Sequence, residues 1–185
     1  MIRGAPQSDF IHSYAIEAML CGNEPTNLEC LVRSIQRYCE TFKVAEGKRC
    51  LIGMAVKQDG SVLSDMVERA FSIPDIKVRK LGWKTFEFDI TREHTVRIIP
   101  SWLEYQLVWD QICCTEFQFI AIEDYSQLGE EHYKLLTRRL RHNNTSIPPL
   151  QLRALSSVDS VFPELFGRYG LTVKSEVFKQ NKEVT

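Results

Sequence analysis

The sequence predicts a single α/β domain, a largely parallel sheet flanked by helices and carrying a β-hairpin insertion. Three observations carry that reading. Continuous apolar runs such as Cys50–Val56 have strand length and no alternation, the pattern of strands buried on both faces. Between such runs, apolar residues recur at three- and four-residue steps, as on one face of a helix. No internal repeat or low-complexity segment interrupts the 185 residues, a length suited to one hydrophobic core.

Pro6-Gln7-Ser8-Asp9-Phe10 opens with turn and capping residues, and Glu17–Cys21, closed by Gly22, reads as a short buried strand. Leu28, Leu31, Val32, Ile35 and Cys39 mark a helix over about 27–42, and Gly47-Lys48-Arg49 turns the chain into the strand Cys50–Val56. Val62, Met66, Val67 and Ala70 place a second amphipathic helix before Pro74. Thr85–Ile90 and Thr95–Pro100 alternate apolar with polar residues and are joined by Thr91-Arg92-Glu93-His94, which makes them the hairpin. Phe117–Ile122 is the most apolar strand; it ends in Glu123-Asp124 and leads to a helix bearing Tyr133, Leu135, Leu136 and Leu140. Leu150–Leu155 is a further strand, and Val161–Val177 closes a domain spanning 1–178, with a polar tail at 179–185 expected to fray.

Composition narrows the function classes. A hydrophobic fraction of 44%, a charged fraction of 25% and a formal net charge of -1 point to no particular partner. The six cysteines show neither a C-x-x-C step nor paired histidine spacing, so zinc is not expected, and free thiols of a reduced cytoplasm are. No apolar run approaches the ~20 residues of a membrane helix, and Met1–Pro6 lacks the apolar stretch of a targeting segment. Trp83, Trp102 and Trp109 read as core or interface residues.

The order of elements, with carboxylates at the end of a buried strand, is that of a RecA-like P-loop core. Phe119–Leu128 followed by Glu130–Arg141 resembles the Walker B region of tailed-phage large terminases, four apolar residues and an acidic pair before an arginine-ended helix. Pro6-Gln7 with Phe10 is similar to that family's adenine-side Q motif, Leu20-Cys21-Gly22 to the approach to Walker A, and Arg153–Ser157 to its coupling motif. The resemblance covers roughly residues 5 to 170 and implies a nucleotide-binding fold.

It also exposes departures. A Walker A loop, G-x-x-x-x-G-K-S/T, needs glycines that turn N–H groups toward phosphate, a lysine to neutralise it and a hydroxyl for Mg²⁺. Along Gly22–Cys30 the resemblance retains Gly22, places Glu29 at the lysine and Cys30 at the hydroxyl, and includes Pro25, which has no N–H. Opposed charges at ~4 Å interact by about 4 kcal/mol at an effective dielectric of 20, so exchanging lysine for glutamate removes ordinary ATP affinity. Glu123-Asp124 inverts the family's Asp-Glu order; the pair either caps the next helix or keeps residual metal binding. Gly53-Met54-Ala55 stands where the family often has a pair of arginines, so that source of transition-state charge is missing.

The resemblance therefore implies a non-catalytic terminase-like domain, a pseudo-ATPase kept as a binding or assembly module for a protein partner such as a phage packaging or structural protein. No cofactor or catalytic residue is expected on this reading; Gln7, Gly22, Glu29 and Cys30 are vestigial nucleotide positions, and Glu123 and Asp124 a vestigial Walker B pair. One alternative is a divergent packaging ATPase using ATP and Mg²⁺, its lysine supplied by Lys48 or Lys57. Another is a nucleic-acid-binding domain that uses Arg138, Arg139, Arg141 and Arg153.

Overall fold

The computed structural model describes residues 5–22, 27–56, 78–82, 85–100, 114–125, 130–141, 149–157 and 175–180. The expected helix near Val62–Ala70, the three tryptophans, Lys57 and most of Val161–Val177 lie outside them.

The apolar runs assemble into an eight-stranded sheet. Its strands are β1 (Glu17–Cys21), β2 (Cys50–Val56), β3 (Arg79–Gly82), β4 (Thr85–Asp89), β5 (His94–Pro100), β6 (Phe119–Ile122), β7 (Gln151–Ser156) and β8 (Ser175–Lys179). Their order is β3-β4-β5-β2-β6-β7-β1-β8. Pairing is parallel from β5 through β8 and antiparallel among β3, β4 and β5. The hairpin thus continues the main sheet, with β5 lying parallel along β2 from Cys50↔His94 to Val56↔Pro100.

Three helices are described: α1 (Ala5–His12), α2 (Asn27–Thr41) and α3 (Glu130–Arg139). Alternation within each strand sends side chains to two cores. Ala18 and Leu20 of β1, Ile52 and Met54 of β2 and Leu155 of β7 pack with Phe10 of α1 and Leu31, Ile35 and Tyr38 of α2. Met19, Cys21, Ile120, Ile122, Leu152 and Ala154 pack on the other face with Tyr133 and Leu136 of α3. Strands β1, β6 and β7 are buried along their whole length because helices cover both faces; β6 reads as an unbroken apolar run, while β1 and β7 bury polar residues, Glu17, Gln151, Arg153 and Ser156.

Three elements depart from the sequence reading. The Pro6–Phe10 stretch expected as a turn is the first part of α1, since proline in a first helical turn removes only an N–H that has no helical partner. Strand β3 was not expected, being a short charged edge strand. Strand β8 was not expected either; it pairs with β1 from Glu17↔Ser175 to Cys21↔Lys179, and Gln180 N–H donates to Cys21 O at 3.1 Å. Lys179 and Gln180 are therefore held in the sheet, where a fraying tail was expected.

Candidate functional site

Parallel pairing brings the carboxyl ends of β1, β6, β7 and β8 to one edge of the sheet, the usual place for ligands in open α/β folds. Gly22, Glu123, Asp124, Ser156 and Gln180 all lie there. β7 separates β1 from β6, so the ends of those two strands stand about 10 Å apart, two strand spacings. Glu123 N–H donates to Ala55 O at 2.9 Å, which anchors the acidic pair between β2 and β7, with Glu123 half-buried and Asp124 buried.

The junction between β1 and α2 is filled by the chain's own amides. Gly22 adopts φ 129°, a left-handed value that favours glycine, and its N–H donates to Ser156 O at 2.9 Å. Gly22 O accepts from Asn27 Nδ2 at 2.8 Å, and Asn27 Oδ1 accepts from Gln180 Nε2 at 2.9 Å. A Cβ on Gly22 would collide with Gln180 Oε1. That oxygen is buried with no hydrogen-bond donor among the described residues. Strict Walker spacing counted from Gly22 puts Asn27 at the second glycine and Leu28 at the lysine, one residue ahead of Glu29.

Glu29 lies on the exposed face of α2 and pairs with Arg33 at 2.9 Å, while Cys30 is fully buried under the sheet. Gln7 is buried on α1, one turn before Phe10, whose ring meets Phe178 edge-on at 6.4 Å. At that spacing a carboxamide stands at the second glycine and a leucine at the lysine, and Gln180 Oε1 lies against Gly22 at the strand end. Lys48 sits before β2, on the opposite edge of the sheet, with its N–H bonded to Ala45 O. Lys179, which pairs in register with Cys21, is the basic residue that sequence reasoning passed over at this edge, because β8 was not foreseen. Asn27 and Gln180 were missed for the same reason. Among the described residues no group of three or more His, Cys, Asp or Glu side chains is arranged to hold a metal ion.

The arginines divide between two places. Arg138 and Arg141 are exposed at the end of α3 and Arg139 is half-buried. That end meets the start of β6, where Phe117 N–H donates to Arg139 O at 2.8 Å and Arg141 N–H to Phe117 O at 2.9 Å. It is therefore the opposite edge from Gly22. Arg153, expected at a surface, is instead 1% exposed on β7. Its Nη1 donates to Ala15 O and Leu152 O at 3.1 and 2.9 Å, and its Nη2 to Ser13 O and Gln151 Oε1 at 2.8 and 2.9 Å. The guanidinium stands 6.0 Å from the Phe119 ring, and burial pushes its pKa down to about 10. Its donors are consumed inside the fold, so it is not available to a partner.

No protein-family profile matches the sequence, and no curated protein does. Among solved structures, the large terminase of a thermophilic bacteriophage is similar. One crystal form aligns at TM-score 0.60 and 11% identity over 84% of this chain and 39% of that one. Its complex with ADP aligns at 0.61 and 11% over 95% and 44%, and its complex with ATP-gamma-S at 0.60 and 9% over the same shares. The chain thus spans less than half the length of these proteins. At such low identity the likeness is one of fold, and the chain has the RecA-like, P-loop NTPase-type α/β fold of phage large terminases.

Proposed function

We propose that this chain is a non-catalytic terminase-like domain, a pseudo-ATPase related to phage DNA packaging that serves as a binding or assembly module for a protein partner. The observation that carries the reading is the Asn27 carboxamide, which bonds Gly22 O and Gln180 Nε2 at the position a P-loop reserves for a bare glycine and the approach of phosphate. Loss of the lysine supports it, since Leu28 and Glu29 offer no positive charge at either alignment of the motif. The fold itself carries no activity, and the same scaffold hosts unrelated functions.

The test is thermal denaturation with Mg-ATP and with ADP. A ligand at ~100 times its dissociation constant would add about 2.7 kcal/mol of stability. The expected result is no shift. A clear shift that is lost on substituting Glu123, Asp124 or Lys179 would overturn the proposal in favour of a divergent ATPase. Under the proposal, the triple substitution Asn27→Gly, Leu28→Lys, Glu29→Ser moves the chain toward nucleotide binding.

A further inference from the structure

Helix α3 covers the β6, β7 and β1 part of its sheet face; beyond it, Leu51 and Ala55 of β2 and Ile99 of β5 continue the apolar core, and polar residues follow on β4 and the first half of β5. Glu87 of β4 and Thr95 and Arg97 of β5 point to that face, alternating with Phe88, Val96 and Ile98, which are buried on the other. Between this polar face and the end of α3 lies a cleft of about 570 Å³, lined among others by Arg49, Arg97, Cys114, Glu116 and Arg139. It sits at the amino ends of β2 and β6, away from Gly22.

Two features of its charge matter. Arg97 is already committed: Nη2 lies 2.7 Å from Glu87 Oε1, Nε donates to the same oxygen at 2.8 Å, and Nη1 donates to Thr115 Oγ1 at 2.6 Å. Arg139 is not: its Nε is buried with no acceptor among the described residues, although its backbone is fixed by the bond from Phe117 N–H. A buried guanidinium N–H left without an acceptor is unfavourable, and a charged acceptor relieves it best. Exposed Arg49, from the turn before β2, stands on the same cleft.

We propose that this cleft binds a phosphate group, held by Arg139 and Arg49, with Arg97 positioned by Glu87 and Thr115 as a fixed wall. The phosphate belongs either to a small phosphate ester or to a nucleic-acid backbone. Cys114, exposed in the cleft, reports occupancy, whereas Cys21, Cys30, Cys39 and Cys50 are buried.

In a Cys113→Ser background, the alkylation rate of Cys114 by iodoacetamide is measured against inorganic phosphate, a nucleoside monophosphate and a single-stranded oligonucleotide. The expected result is protection by phosphate, with the half-protecting concentration raised about tenfold or more by Arg139→Ala, from the loss of a charged hydrogen bond. Arg49→Ala, at an exposed site that leaves the fold intact, raises it by a smaller factor. Arg138→Ala removes the same charge one residue away and leaves it unchanged. Greater protection by the oligonucleotide than by the monophosphate assigns a nucleic-acid backbone, and the reverse assigns a small ester. Absence of protection by any of the three, or equal protection in Arg138→Ala and Arg139→Ala, overturns the proposal. A nucleotide-induced thermal shift that survives Arg139→Ala belongs to the Gly22 edge, and one that disappears belongs here.

Discussion

Replacing Arg153 with alanine tests whether this residue holds the fold together or serves a surface. Three acceptors that the guanidinium reaches through buried bonds, Ala15 O, Leu152 O and Gln151 Oε1, would lose that donor, and Ser13 O would lose a partly buried one. Each buried acceptor left unsatisfied costs about 1–3 kcal/mol, and removal of the stem opens a void between β7 and α2. Against this stands relief of the charge, because the pKa drop to about 10 shows that burial already disfavours the cation. The balance is a loss of about 3–5 kcal/mol, a large part of the 5–15 kcal/mol typical of a folded protein. Urea denaturation would read it as a lower midpoint with an unchanged slope. Arg153→Met, which keeps the stem and removes the charge, should lose less than alanine. If Arg153→Ala lies within about 0.5 kcal/mol of the parent, as a surface substitution does, the anchoring role assigned here is wrong.

Two further outcomes follow from buried polar groups. Tyr133→Phe removes the hydroxyl that donates to Glu17 Oε1 at 2.9 Å, and Glu17 is fully buried, so a loss of about 1–3 kcal/mol is expected in the same denaturation assay. His94 is buried between Phe42 O and Thr91 Oγ1, and burial lowers its pKa from 6.5. The unfolded chain therefore takes up the proton first, so this contribution to stability is complete above pH 6.5 and is lost as pH falls below it. His94→Gln should flatten the decline in stability between about pH 7 and 5; an unchanged slope would remove His94 as its source.

What the sequence disclosed follows from which residues report on their own surroundings. α2 and β2 were legible because each is long and its apolar residues keep one pattern, β6 because helices on both faces demand a continuous apolar run, and β7 because Leu152, Ala154 and Leu155 lie within strand length. α1 was hidden by a proline that reads as a turn residue yet is harmless in a first helical turn. β8 was hidden because a five-residue strand with only two apolar residues, Val177 and Phe178, carries little signal, and with it went Gln180 and its bond to Asn27. Arg153 misled for a different reason: arginine is rarely buried, and only the convergence of Ser13, Ala15 and Gln151 on its guanidinium shows that this one is. The acidic pair was placed correctly at the carboxyl edge, since its position depends on β6 alone.

The placement of β1 has a consequence for how the chain reaches this structure. Its neighbours among the described strands are β7 and β8, so Glu17 waits for Leu152 and Ser175 while β2, β5 and β6 are already within reach of one another. A strand with such distant partners closes a long loop before any contact rewards it, which slows folding. Until then the apolar run Ala18–Cys21 is an unsatisfied template for any other strand it meets. The polypeptide is therefore most vulnerable to misassociation at β1, and the half of the sheet bearing Gly22 is the last to acquire its shape.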